Sequence, residues 1–94
     1  MRLAGRVVAA PMAGVSDLPF RELAREQGAA LVATEMVSAE ALVRTPQRGR
    51  ALMRYEEHER PVAMQLFGGR PEAMAEAARI LCDHGVDVID INMG

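Results

Sequence analysis

The fold of this chain is decided by its last nine residues, Val86-Asp87-Val88-Ile89-Asp90-Ile91-Asn92-Met93-Gly94. The β-branched residues in this stretch predict a strand. Because successive strand side chains point to opposite faces, Val88, Asp90 and Asn92 share one face and Ile89 lies on the other. A strand that turns from apolar to polar toward its C-terminal end is typical of α/β sheets and barrels, which bind ligands at that edge. We therefore interpret the stretch as a buried strand that delivers polar groups to a site.

Three further strands are predicted upstream, over residues 6–10, 30–34 and 62–66. Apolar residues at helical spacing predict helices over residues 19–27, 39–43 and 71–84, the first with Phe20, Leu23 and Ala24 on its apolar face. Ser16 or Asp17 suits the N-cap of the first of these helices. Strands that alternate with helices in the order βαβαβαβ predict an α/β fold with parallel strands and right-handed crossovers.

Residues 44–60 are the least regular part of the chain, and we interpret them as a solvated excursion with a short helix around residues 50–55. A positive cluster in this part could contact an RNA backbone. The cluster consists of Arg44, Arg48, Arg50 and Arg54. Glutamates follow it at once and no aromatic residues interleave, so solvated charge is the better interpretation.

Composition bounds the protein to one small domain of 94 residues with a net charge of −2, which gives no global drive toward nucleic acid. Cys82 is the single cysteine, so no internal disulfide forms, and its place in the third helix favours packing over nucleophilic chemistry. The chain has no signal-peptide core and no apolar run near the ~20 residues of a membrane span, so we expect a soluble, cytoplasmic protein. His58 and His84 are not spaced with other ligands, and we expect no metal site.

Polar residues follow each predicted strand at its C-terminal end, where parallel strands place them on the same side. Gln65 could be a satisfied core amide or could bind a planar ligand that both donates and accepts hydrogen bonds, and spacing alone leaves both open. Asn92 has the same dual capacity, and Asp90 could orient a loop or a ligand hydroxyl. Glu35 is better interpreted as a carboxylate that anchors a loop than as a general base.

Four segments of the chain resemble the tRNA-dihydrouridine synthases, and the likeness covers residues 6–94. The first is Ala-Pro-Met-Ala-Gly-Val-Ser-Asp-Leu-Pro-Phe-Arg at residues 10–21, which is similar to the opening signature of that family. Thr-Glu-Met at residues 34–36, Gln-Leu-Phe-Gly at 65–68 and Asp-Ile-Asn-Met-Gly at 90–94 follow in the family's order. The spacings resemble those of the bacterial B-type members.

The resemblance implies the first half of an FMN-binding (β/α)8 TIM barrel. Family members reduce a uridine of tRNA to 5,6-dihydrouridine with NADPH or NADH as the reductant, and a cysteine donates the proton. Carried over by position, Pro11, Met12, Ala13 and Gln65 would bind FMN, and Asn92 would face the substrate uracil.

The resemblance also implies that residues 1–94 form only the N-terminal part of the barrel domain, without the later strands and the helical tRNA-binding domain. The family's cysteine is expected directly after Gly94, so no catalytic residue is assigned, and Cys82 does not occupy that position. We expect the 94-residue chain to be inactive alone.

Two other functions are considered. One is another FMN-dependent barrel oxidoreductase, such as a dihydroorotate or dihydropyrimidine dehydrogenase; the opening and closing motifs favour the tRNA enzyme. The other is a non-catalytic half-barrel that associates with itself, although no residue pattern looks adapted to cap its edge strands.

Overall fold

The computed structural model describes residues 1–45, 47 and 51–94. Its helices are α1 (Leu18–Glu26), α2 (Ala39–Arg44) and α3 (Pro71–His84). Its strands are β1 (Val32–Ala33), β2 (Val37–Ser38), β3 (Val62–Phe67) and β4 (Val88–Ile91), and a 3₁₀ helix (Glu57–Glu59) precedes β3.

The sheet is parallel and is centred on β3. β4 pairs with one side of β3, with Gln65 opposite Asp90, and β1 and β2 pair in succession with the other side. These strands alternate with helices along the chain. The predicted α/β fold with parallel strands is therefore confirmed, and the arrangement matches part of a (β/α)8 barrel.

The second predicted strand, residues 30–34, contains β1, and the chain returns to β3 as β2 where a loop was predicted, with one extra residue between the two pairings. Ala33 lies opposite Ala63 and Val37 lies opposite Leu66, so four steps of this chain segment match three steps of β3. A strand that accommodates one extra residue in this way bends locally and re-aims its side chains, as at a β-bulge. The residues affected, 34–36, include Glu35.

The predicted strand over residues 6–10 is wrong as a full strand. This segment makes a single parallel bridge, Val8 to Leu31, supported by a hydrogen bond from the Ala9 N–H to the Leu31 carbonyl at 2.9 Å. Pro11, which has no N–H, follows directly and cannot extend the pairing as a donor. The segment still lies beside β1 and runs parallel to it.

The hydrophobic core lies between one face of the sheet and the helices α2 and α3. Met64 and Leu66 of β3 point into it, and they meet Leu42 of α2 and Leu81 of α3. Because strand side chains alternate, Gln65 falls on the opposite face of β3, which the helices do not cover. The sheet thus keeps one face for packing and presents the other as a concave surface.

The apolar face predicted for the first helix is wrong at Leu23, which is 54% exposed. The buried residue of α1 is Arg21, and Leu23 lies about 200° around the helix from it. Arg21 Nε donates to Glu59 Oε1 at 2.5 Å, and Glu59 is fully buried. The helix therefore turns its arginine toward the protein, because a buried carboxylate needs a partner.

The interpretation of residues 44–60 as a solvated excursion is wrong for the described residues near its C-terminal end. Met53 belongs to the core, and Glu59 is inaccessible to solvent. Tyr55 donates a hydrogen bond to the Gly85 carbonyl at 3.2 Å and so ties this segment to the end of α3. Of the predicted arginine cluster, Arg48 and Arg50 lie outside the described residues.

Several smaller expectations can also be compared with the structure. The thiol-bearing Cys82 is exposed, so its predicted packing role is wrong. Within the described part of the chain, no helix is both long and apolar enough to cross a membrane. Residues 1–45, 47 and 51–94 contain no cluster of three or more His, Cys, Asp or Glu residues that could hold a metal ion.

Candidate functional site

The open face of the sheet forms a shallow apolar cavity of about 270 Å³. Its floor is made by small residues of three neighbouring strands, Ala33, Ala63 and Val88. The lining residues are Val8, Ala9, Ala10, Pro11, Leu31, Ala33, Ala63, Val88 and Asp90. Pro11, one of the predicted cofactor-binding residues, therefore lies at this cavity.

Three polar side chains form a hydrogen-bonded chain at the C-terminal end of β3 and β4. Gln65 Nε2 donates to Asp90 Oδ2 at 2.7 Å. Asn92 Nδ2 donates to Gln65 Oε1 at 3.3 Å, and Asn92 Oδ1 accepts from the Gly94 N–H at 2.9 Å. The structure thus brings together Gln65 and Asn92, the two amides that the sequence singled out.

A second open depression of about 570 Å³ lies beyond these amides, at the C-terminal ends of β2, β3 and β4. Its lining residues are Ser38, Glu40, Phe67, Gly68, Gly69, Asn92, Met93 and Gly94. Asn92 belongs to this depression and also contacts Gln65. Asn92 therefore links this depression, through Gln65 and Asp90, to the apolar cavity that Asp90 lines.

The loop of residues 11–17 is built around Ser16, which is buried. The Met12 N–H donates to Ser16 Oγ at 2.8 Å, and the Ser16 N–H donates to the Met12 carbonyl at 2.9 Å. These bonds occupy the backbone polar groups of Met12, so its exposed side chain is the part left to contact a ligand. Ala13 is exposed at the next position of the turn.

Glu35 holds this loop from the other side. Its Oε1 accepts a hydrogen bond from the Gly14 N–H, 21 residues away in sequence. Gly14 has a φ of 74°, a left-handed conformation that favours glycine. The prediction that Glu35 anchors a loop is confirmed, and the extra residue between β1 and β2 explains how the carboxylate reaches the loop.

Arg21 also stabilises the loop of residues 11–17, a role that the sequence did not predict. Its Nη1 donates to the Ser16 carbonyl at 2.9 Å while its Nε holds Glu59. Glu59 Oε2 in turn accepts from the Glu56 N–H at 2.6 Å. Arg21 ends the motif at residues 10–21, but no local pattern indicates its burial, since the partner lies 38 residues away in a stretch of mixed charge.

Asp87 directly precedes β4 and lies away from Gln65, and its carboxylate anchors the start of the strand. Its carboxylate pairs with Arg60 through Nη2 at 2.7 Å and accepts from the Val62 N–H at 2.9 Å. The hydrogen bond from Arg60 is the largest cause that lowers the pKa of Asp87 below its usual value of 3.8. Asp87 thus fixes the start of β4 against β3.

A parallel α/β sheet with helices on one face and a polar cluster at its strand ends is the architecture of part of a (β/α)8 barrel. The family model described as Dihydrouridine synthase (Dus) matches residues 7–94. The chain therefore belongs to the dihydrouridine synthase family, as its motifs predicted.

Relatives agree with this assignment. The chain is 50% identical over 94 residues to a probable tRNA-dihydrouridine synthase of Rhizobium leguminosarum bv. phaseoli, covering 100% of this chain and 29% of the relative. It is 42% identical over 93 residues to tRNA-dihydrouridine synthase B of Escherichia coli K12, covering 99% and 29% of the two chains. For the B enzyme of Pseudomonas aeruginosa the values are 40% over 92 residues, 98% and 28%. The chain thus spans less than a third of the relatives it matches.

Proposed function

We propose that residues 1–94 supply the cofactor-facing and uracil-facing strands of a tRNA-dihydrouridine synthase. The observation that carries the proposal is the hydrogen-bonded chain of Asp90, Gln65 and Asn92, whose first member lines an apolar cavity with a floor of small residues. When bound, FMN would supply the hydride that saturates the C5–C6 bond of a uridine in tRNA, after its reduction by NADPH or NADH. Such a reaction acts on tRNA in the cytoplasm, where we place the protein.

The described residues fit a flavin ring by their chemistry. A flat tricyclic ring needs an apolar bed, which Ala33, Ala63 and Val88 offer, and hydrogen-bonding groups at its edge, which Gln65 offers. Pro11, Met12 and Ala13 would close the bed from the loop side, held there by Ser16 and Glu35. The fit is chemical, and no step of the reaction is assigned to these side chains.

Asn92 would hold the uracil. An amide can donate to a uracil carbonyl and accept from the neighbouring imide N–H, which matches the alternation on that ring. The proton that completes the reduction would come from the family's cysteine, which we expect beyond Gly94. We therefore propose that the 94-residue chain alone forms no dihydrouridine.

The test uses a hybrid protein, in which this chain replaces the matching 93-residue stretch of the E. coli relative. We expect the purified hybrid to be yellow, to contain FMN near one equivalent, and to form dihydrouridine in unmodified tRNA with NADPH. The unaltered E. coli protein is the positive control. A folded, monodisperse hybrid without FMN contradicts the proposal, and dihydrouridine formed by residues 1–94 alone contradicts the expected inactivity.

A further inference from the structure

We infer that Asp90 is a positioning residue that fixes which way the Gln65 amide points, and through Gln65 also orients Asn92. The inference rests on the proposed function for the identity of the ligand. Its geometric part rests on three hydrogen bonds, Gln65 Nε2 to Asp90, Asn92 Nδ2 to Gln65 and the Gly94 N–H to Asn92.

The chemistry of Asp90 sets the direction in which these hydrogen bonds run. An ionised carboxylate only accepts hydrogen bonds, whereas an amide presents a donor and an acceptor of nearly identical shape. A reversed Gln65 would place its oxygen against the Asp90 carboxylate and its NH₂ against the Asn92 NH₂. Both contacts would be lost, so Asp90 selects a single orientation of Gln65.

That selection decides what the site offers to a ligand. Among the described residues, Asp90 is the acceptor that Gln65 Nε2 contacts, so the second Nε2 hydrogen is left to donate to a ligand carbonyl. Reversal would offer a carbonyl oxygen instead and would recognise an N–H group. Asp90 therefore commits this position to a heterocyclic carbonyl through Gln65, in addition to lining the apolar cavity itself.

The test compares Asp90→Asn with Asp87→Asn in the hybrid protein. The asparagine introduced by D90N has nearly the same shape as the aspartate but can donate or accept, so it no longer selects one orientation of the Gln65 amide, and only the contact with Asn92 Nδ2 still opposes reversal. Asp87 lies next to the same strand, undergoes the same chemical change and contacts Arg60 rather than Gln65. The matched pair separates an effect on amide orientation from a general loss of charge or stability.

One readout on the cofactor is expected to respond to D90N and not to D87N. The Kd for FMN rises by up to about twofold, the value for two equally populated orientations, because only the contact of Asn92 Nδ2 with Gln65 Oε1 then opposes reversal. A D90N hybrid whose Kd equals that of the parent overturns the inference.

A second readout needs no flavin. In the flavin-free hybrid, and in the 94-residue chain, the Nε2 proton of Gln65 that faces the Asp90 carboxylate should be shifted downfield in a ¹⁵N-correlated NMR spectrum, so that the two Nε2 protons are further apart than in a solvated glutamine. D90N should reduce the separation toward that of a solvated glutamine, whereas D87N should not, and an unchanged separation in D90N overturns the inference. If the amide responds but the hybrid binds no FMN, the proposed function fails while the positioning role of Asp90 stands.

Discussion

Gln65 and Asp90 lie opposite each other on adjacent parallel strands, and Gln65 Nε2 donates to Asp90 Oδ2 at 2.7 Å. Each residue is polar within an otherwise apolar strand, so each would be costly to bury without the other. The strand register satisfies both, and it leaves Gln65 Nε2 with one further hydrogen to donate. This pair is the centre of the proposed site.

Removal of the Gln65 amide should weaken cofactor binding. We expect Gln65→Ala in the hybrid protein to raise the Kd for FMN about 10-fold or more, since a hydrogen bond to a ligand is worth about 1–3 kcal/mol and about 1.4 kcal/mol is tenfold. Fluorescence titration with FMN measures the effect. Leu23→Ala, on the exposed side of α1, is the control, and equal affinities for all three proteins would contradict the assigned role of Gln65.

The buried ion pair of Arg21 and Glu59 should be strongly coupled. We expect Arg21→Ala to destabilise the fold by about 3–5 kcal/mol, because it leaves a carboxylate buried without its partner. The double variant R21M/E59L should lose less stability than R21A, since it leaves no buried charge. Urea denaturation monitored by circular dichroism measures the free energy of unfolding of each variant. A greater loss of this free energy in the double variant than in R21A would show that the two side chains act independently.

Gly68 and Gly69 should differ in their tolerance of a side chain. A Cβ at Gly68 would lie 3.0 Å from Met74 Sδ and 3.2 Å from the Ala39 Cβ, whereas a Cβ at Gly69 meets no atom within 4 Å. We expect Gly68→Ala to cost about 1–3 kcal/mol by overpacking, and Gly69→Ala to be neutral. Thermal unfolding midpoints compare the two, and equal midpoints would remove the packing explanation for Gly68.

The contribution of Asp87 to stability should depend on pH. The pKa of Asp87 in the folded state lies below its ordinary value, so the carboxylate stabilises the fold above that ordinary value, near pH 4. The contribution is lost as the pH falls through the lower, folded-state pKa. Asp87→Asn should therefore reduce the denaturation midpoint at pH 7, and the difference from the parent should shrink below about pH 4. A difference that stays constant as the pH falls from neutral to about pH 2 would contradict this.

Local signals predicted the ends of the helices well. Asp17 caps α1 by accepting from the Phe20 N–H at 3.0 Å, Ser38 caps α2, and Gly85 follows α3 with a φ of 94°. These features depend on residues within one turn of each other, so the sequence carries them directly. The same holds for the alternation of β4, which placed Asp90 and Asn92 on one face.

Long-range partners were not predictable in this way. Nothing near Arg21 in sequence indicates that it is buried, because its partner Glu59 arrives from a charged segment 38 residues later. The segment before Pro11 looked like a full strand, yet its described pairing with Leu31 is a single bridge. In both cases the outcome depends on which segments the fold brings together.

The sequence by itself determined the α/β class, the helix limits and the family, and it singled out Gln65 and Asn92 as candidate site residues. Only the tertiary structure decided that Asp90 holds Gln65, that Glu35 reaches the Gly14 N–H and that Arg21 is buried. The physical reason is that propensity, alternation and capping act within a few residues, whereas strand register and the pairing of buried charges are fixed only when distant segments pack. A hydrogen bond at 2.7 Å requires a register that no local pattern specifies.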